Sequence, residues 1–290
     1  MRKLILSVLV SSLATLTLIG CASSTQTDTQ NVSGDATNSA SAPTSSRHVF
    51  VIMMENKGYD EALGGDYTSS LARTYAVAPD YHAVAHPSLP NYLALTSGST
   101  WGVKSDEYQS LPSNEDVGSE LTSAGIAWRA YMEDMSDGCF DSPKPYALKH
   151  NPFAFYGGRC PQNVVDLSQL DADLSGETPN FVWITPNLCH DEHDCAVSSG
   201  DRWLAEVVPK ITESAAWKQD GVLFIVWDED DKNSGSNRVP LIVVTSNLKS
   251  RQMDAYHDHY SLLATIQDLL GVKRLGEAVN AQAIEDLFQT

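Results

Sequence analysis

Two pairs of oxygen-bearing residues, Glu55-Asn56 and Asp228-Glu229, each follow directly on an apolar run and stand about 170 residues apart. Carboxylates that folding brings to one place repel strongly in a low-dielectric setting unless a cation lies among them. Oxygens from Glu, Asn, Asp and Glu suit one hard divalent ion such as Mg²⁺, Ca²⁺ or Mn²⁺ better than a structural Zn²⁺. The run Asp228 to Asp231 also suits a solvated turn. An EF-hand loop starting at Asp228 fails, because Asn233 stands where glycine is needed and Val239 where glutamate is needed.

Ser88 is the second reactive position. It precedes an apolar helical stretch that runs to Gly98, so it has the features of an ordinary helix N-cap. The same position offers chemistry. A hydroxyl at a helix N-terminus faces free N–H groups, which favour an attacking alkoxide and bind phosphate. A serine hydroxyl is a poor nucleophile near neutral pH and needs a base or a metal, which the cation among the carboxylates would supply. His82 and His86 have helical ligand spacing, but Pro79 and Pro87 bracket them too closely for a good helix.

The elements that must carry these residues alternate. Continuous apolar runs over 47–54, 180–185, 222–227 and 239–244, with a weaker one over 126–131, predict strands covered on both faces. Helical patterns over 117–123, 201–215 and 260–270 lie between or after them. This order predicts an α/β fold with a mostly parallel central sheet and helices on both faces. Ligands in such folds gather at the carboxyl ends of strands, where Glu55-Asn56 and Asp228-Glu229 stand.

The 290 residues carry 19 Lys+Arg against 37 Asp+Glu, a formal charge of −18. That balance argues against nucleic acid as a partner, since phosphate-backbone binding needs clustered cations. It would also repel anionic substrates, so phosphate chemistry needs a local cation. Residues 1–20 read as an export signal, with Arg2 and Lys3 before an apolar run ending in Leu18-Ile19-Gly20-Cys21. That ending resembles the bacterial lipobox, in which the cysteine (here Cys21) is lipidated. Residues 21–46 then form a lipidated Cys and a Ser/Thr-rich tether reaching about 25–30 Å. Residues 47–290 are read as one catalytic domain. The expected location is the cell envelope, at the outer membrane or facing the periplasm if the host has two membranes, with membrane contact only through the anchor. Four cysteines remain, and proximity favours Cys139–Cys160 and Cys189–Cys195 among three pairings; a zinc knot in 189–195 competes. Oligomeric state is not legible.

Four motifs in order resemble the phosphoesterase family of bacterial phospholipases C and acid phosphatases, which is similar in fold to alkaline phosphatases. They are Val51-Ile52-Met53-Met54-Glu55-Asn56, His86-Pro87-Ser88-Leu89-Pro90-Asn91-Tyr92, Trp227-Asp228-Glu229 and His259-Tyr260-Ser261-Leu262-Leu263. The resemblance implies that Glu55, Asn56, Asp228 and Glu229 hold the metal with Ser88, which becomes transiently phosphorylated. It implies that Asn91 holds a phosphate oxygen, and that His86, His190, His193 and His259 contact phosphate or move protons. His48 is expected at a strand start, and His82, His150 and His257 receive no role. The chain ends about twenty residues after the last motif, which suits the small acid-phosphatase branch and hydrolysis of small phosphate monoesters. A phospholipase C or other phosphodiesterase is the alternative, and a non-catalytic lipid-anchored binder of phosphate esters or metal is the rival from another class.

Overall fold

The computed structural model describes residues 47–231, 235–245 and 251–284. The export signal, Cys21 and the tether all lie outside them. Ten strands are present among the described residues: β1 (His48–Met54), β2 (Ala76–Ala78), β3 (Tyr81–His82), β4 (Trp128–Met132), β5 (Val164–Asp166), β6 (Phe181–Thr185), β7 (Gly221–Trp227), β8 (Leu241–Thr245), β9 (Arg251–Gln252) and β10 (His257–Asp258). The helices are α1 (Tyr59–Ala62), α2 (Asp66–Thr74), α3 (Ser88–Ser97), α4 (Val117–Ser123), α5 (Gly138–Asp141), α6 (Leu170–Ser175), α7 (Val197–Glu213), α8 (Ala215–Asp220) and α9 (His259–Leu270).

Eight strands form one sheet in the order β5-β4-β6-β1-β7-β8-β2-β9, and β3 pairs with β10 apart from it. From β5 to β7 every pairing is parallel; β8 runs antiparallel to both β7 and β2. Both middle strands, β1 and β7, are buried at all seven positions, which explains their unalternating apolar sequences. Helices α2, α6, α7 and α8 pack among themselves, with α8 against β1 and β7; α3 packs on α4 and α9, and α9 on β1. The sheet is therefore mostly parallel and helix-covered, as the apolar runs predict.

Register places the chemistry. Met54 of β1 lies opposite Trp227 of β7, so Glu55 and Asp228 follow side by side at the carboxyl ends of the two central strands. The N–H of Asp228 donates to the Met54 carbonyl at 3.0 Å, carrying the pairing to this edge. On the other side of β1, β6 ends at Thr185 and leads into the loop holding His190 and His193.

Two disulfides form, and Cys189–Cys195 closes the loop that leaves β6 at this edge. Cys139–Cys160 and Cys189–Cys195 have Cα separations of 5.6 and 4.7 Å. All four cysteines are thereby spent, and a zinc knot in 189–195 has no thiolates left to form it.

Candidate active site

Ser88 is the first residue of α3, and Pro87, not Ser88, occupies the cap position. The helix is buried along its whole length and closes at Gly98, whose φ of 71° needs the left-handed freedom of glycine. The serine hydroxyl makes no capping bond. Instead Ser88 Oγ lies 3.1 Å from Glu55 Oε2 and 3.2 Å from Glu229 Oε1, and the side chain is 1% exposed. The hydroxyl is thus held between carboxylates delivered by β1 and β7.

Asn56 takes a positive φ of 53° straight after Glu55, turning its N–H onto Asp228 Oδ1 at 3.0 Å and its side-chain amide onto Glu55 Oε2 at 3.1 Å. Asn tolerates that conformation better than most residues. Glu55, Asp228, Glu229 and Asp230 are all buried, within 2% exposure. Asp228 Oδ2 has no hydrogen-bond partner among the described residues. Glu55 Oε1 lies 2.9 Å from His150 Nε2, but neither atom achieves hydrogen-bond alignment. Asp228 Oδ2, a buried carboxylate oxygen without a partner, is costly and calls for a cation. The all-oxygen set of Glu55, Asn56, Ser88, Asp228 and Glu229 fits a divalent ion.

The electrostatics agree. Burial raises the Asp228 carboxyl well above its ordinary value, and the charges of Glu55 and Glu229 push the same way. Burial would also raise Glu55, but His150 outweighs it and lowers that carboxyl to about 2. For His150 burial favours the neutral ring, yet Glu55 and Asp191 hold its pKa up to about 9. His150 is therefore an imidazolium wedged between two carboxylates, with Nδ1 on Asp191 Oδ2 at 3.1 Å. Ligand-type atoms of Glu55, His150 and His193 also fall within 4.8 Å of one another, a grouping that could take a metal ion only once His150 gave up a ring proton.

The predicted histidines separate. His86 is at the site, with Nδ1 on Glu229 Oε2 and Nε2 3.5 Å from Asp230 Oδ1, and its side chain is 31% exposed. His193 is also there: its ring lies 5.5 Å from that of His150 and its Nε2 3.0 Å from Lys149 Nζ. His190 is not. It turns to Glu133 at 2.9 Å and stacks on Trp203, lining a separate concavity of about 380 Å³ with Asp171 and Lys210. The six-residue bridge that holds the loop rigid points the two histidines to different places.

His259 and Asn91 require corrections of another kind. His259 is fully buried, and both ring nitrogens are used, by the Asp228 carbonyl at 2.7 Å and the Tyr81 hydroxyl at 2.9 Å. Burial lowers its pKa to about 4, so it is a neutral prop beneath Asp228 and not a proton donor to substrate. Asn91 spends its amide on the backbone: Oδ1 accepts from the N–H groups of Val84 and Ala85, and Nδ2 donates to the carbonyls of Ala85 and Pro87. It clamps the segment carrying His86, with no atom directed at a phosphate.

Residues without an expected role fill the gap. His150 carries none, although Lys149-His150 is a basic pair in a chain poor in cations. Asp191 falls within the bridged 189–195 loop and carries no expected role of its own. Its carbonyl accepts the Glu55 N–H at 2.8 Å, tying the Cys189–Cys195 loop to β1. Lys149 supplies an ammonium whose pKa burial would lower but the charges of Glu55 and Asp106 raise. Nothing about residue spacing links 149 to 55 or 191; only the sheet order does.

Known proteins resemble this chain in sequence and in fold. A probable acid phosphatase of Kluyveromyces lactis is 28% identical over 79% of this chain and 59% of its own. A phosphatidylinositol-3-phosphatase of Mycobacterium tuberculosis is 30% identical over 86% of this chain and 85% of its own. The chain thus spans little more than half the length of the fungal relative. Among solved structures, an alkaline phosphatase superfamily protein from Vibrio parahaemolyticus superimposes with a TM-score of 0.58 at 13% identity, covering 82% of this chain and 71% of its own. A putative sulfatase from Bacteroides thetaiotaomicron gives 0.57 at 12% identity, covering 81% and 75%; both likenesses concern the fold alone. With the profile of the Phosphoesterase family matching residues 65–273, Ser88 and the distant Asp228-Glu229 pair included, the chain belongs to that family.

Proposed function

We propose that this protein is a divalent-metal-dependent hydrolase of phosphate monoesters, acting through a phosphoserine on Ser88. The observation that carries the reading is the Ser88 hydroxyl, buried between Glu55 and Glu229 at the start of a helix. A binding protein has no need of a nucleophile so placed. The acid-phosphatase and phosphatidylinositol-3-phosphatase relatives support the same reaction class.

A divalent ion held by Glu55, Asn56, Asp228 and Glu229 would lower the pKa of the serine hydroxyl and offset charge on the phosphoryl oxygens; Mg²⁺, Ca²⁺ or Mn²⁺ suits the oxygen set. The chain does the rest. Glu229, one of the two carboxylates to which the hydroxyl is already hydrogen-bonded, accepts its proton. Ser88 Oγ bonds to phosphorus in line as the ester P–O bond breaks. The Ser88 and Leu89 amides of the first turn of α3, with Lys149 and His193, hold the phosphoryl oxygens. His86, partly exposed beside Glu229, protonates the departing alcohol. Water then attacks the phosphoserine, releasing phosphate and restoring the hydroxyl.

We also read the protein as an exported lipoprotein anchored at Cys21, a location that two disulfides support. The functional reading is tested by hydrolysis of a chromogenic phosphomonoester with and without chelator, in wild type and Ser88→Ala. Chelation and the substitution should each abolish turnover, while Ser88→Ala keeps its metal by elemental analysis. Wild-type turnover in Ser88→Ala contradicts the assignment.

A further inference from the structure

Asp106 engages two donors that a phosphoryl group at Ser88 would also need. Leu89 directly follows Ser88, and its N–H lies in the first helical turn, where no carbonyl of α3 can accept it. That N–H donates to Asp106 Oδ1 at 3.1 Å. Asp106 Oδ2 accepts from Lys149 Nζ at 3.1 Å, and the same ammonium reaches His193 Nε2 at 3.0 Å. One carboxylate therefore spans a helix-terminal amide and an ammonium beside the nucleophile. A phosphoryl group presents equivalent acceptor oxygens to the same pair, with more charge.

Few contacts tie the chain around Asp106, the packing of Tyr108 on Phe140 and Phe155 among them. Val103 and Leu111 are buried anchors, the former bonded to Thr100 and the latter to the Phe155 carbonyl. Residues 104–110 between them form no helix or strand, and Asp106 alone among the seven is not exposed. Its inward contacts are these two hydrogen bonds.

We propose that Asp106 is an internal competitor for the phosphoryl subsite, occupying the Leu89 N–H and the Lys149 ammonium in the free protein and leaving them when a phosphate dianion enters. It thereby sets the affinity for dianionic over monoanionic esters. The inference rests on Ser88 as the phosphoryl acceptor. A purely structural Asp106, one that only steadies Lys149, has the opposite signature, since its loss would weaken anion binding.

The test is calorimetric titration of the folded, metal-loaded protein with inorganic phosphate, in wild type, Asp106→Ala and the near-isosteric Asp106→Asn. Both variants should bind phosphate about tenfold more tightly, the size expected for removing one screened like charge near the anion. KM for a phosphomonoester should fall in step while kcat holds, and KM for a monoanionic diester should move less. Unchanged, weaker or undetectable phosphate binding in the variants overturns the proposal, as does failure of both to fold. Tighter binding in a protein without turnover would retain Asp106 as competitor and discard the proposed reaction. Turnover without tighter binding would do the reverse.

Discussion

Replacing Asn91 by alanine separates a clamp from a substrate contact. Four hydrogen bonds join the Asn91 side chain to the backbone of residues 84–87, at 3.0, 3.0, 2.9 and 3.3 Å, and the residue is fully buried. The Ala85 carbonyl keeps a second donor, Asn237 Nδ2 at 2.8 Å, so its loss is small. The Val84 and Ala85 amides lose their acceptor. Two under-satisfied amides at about 1–2 kcal/mol each, in partly buried positions, give a total near 3 kcal/mol. For a domain of this size that corresponds to a fall in Tm of roughly 6–12 °C. Urea unfolding and a thermal melt of Asn91→Ala should show this loss, while the inhibition constant for inorganic phosphate stays within about threefold of wild type. A variant as stable as wild type whose phosphate inhibition weakens tenfold or more would refute the reasoning and restore Asn91 as a phosphate contact.

Two further predictions address the frame. Asp116 caps α4 through Ser119, and burial raises its carboxyl more than those bonds lower it. With the folded pKa above the unfolded value of about 3.9, the Asp116 contribution to stability is greatest below that value and declines as pH rises through the folded one. Asp116→Asn keeps the capping oxygen without ionising, so its stability relative to wild type should climb from pH 4 upward in urea unfolding; a flat or falling difference contradicts this. Replacing Cys189 and Cys195 together by serine opens a bridge of sequence separation 6, worth about 2 kcal/mol by loop-closure entropy. Because Asp191 in that loop holds both the Glu55 N–H and His150, turnover should also drop by roughly tenfold or more. Unfolding that weakens with kcat intact would detach the loop from the site.

The central strands were legible because burial on both faces demands apolar runs without alternation, and 47–54, 180–185 and 222–227 match β1, β6 and β7 almost residue for residue. Their ends were legible for the same reason: an acid directly after such a run has to sit at the sheet edge, and the register of Met54 with Trp227 makes Glu55 and Asp228 neighbours. The histidines were not. A histidine's role depends on which way its ring faces, and Cys189–Cys195 holds His193 toward Lys149 while His190 faces Glu133. His259 stands in a motif and at a helix start, yet two hydrogen bonds and complete burial make it scaffold. His150 lies in a short 3₁₀ turn with no periodic signal, and only the three-dimensional meeting of its ring with Glu55 and Asp191 reveals it.

The most direct measurement is to mix the metal-loaded protein with a phosphomonoester, quench in acid during turnover, and map phosphate by mass spectrometry of the peptides. The account predicts phosphate on Ser88, lost on Ser88→Ala and on chelation. Steady turnover with Ser88 never modified, or with phosphate on another residue, would contradict it.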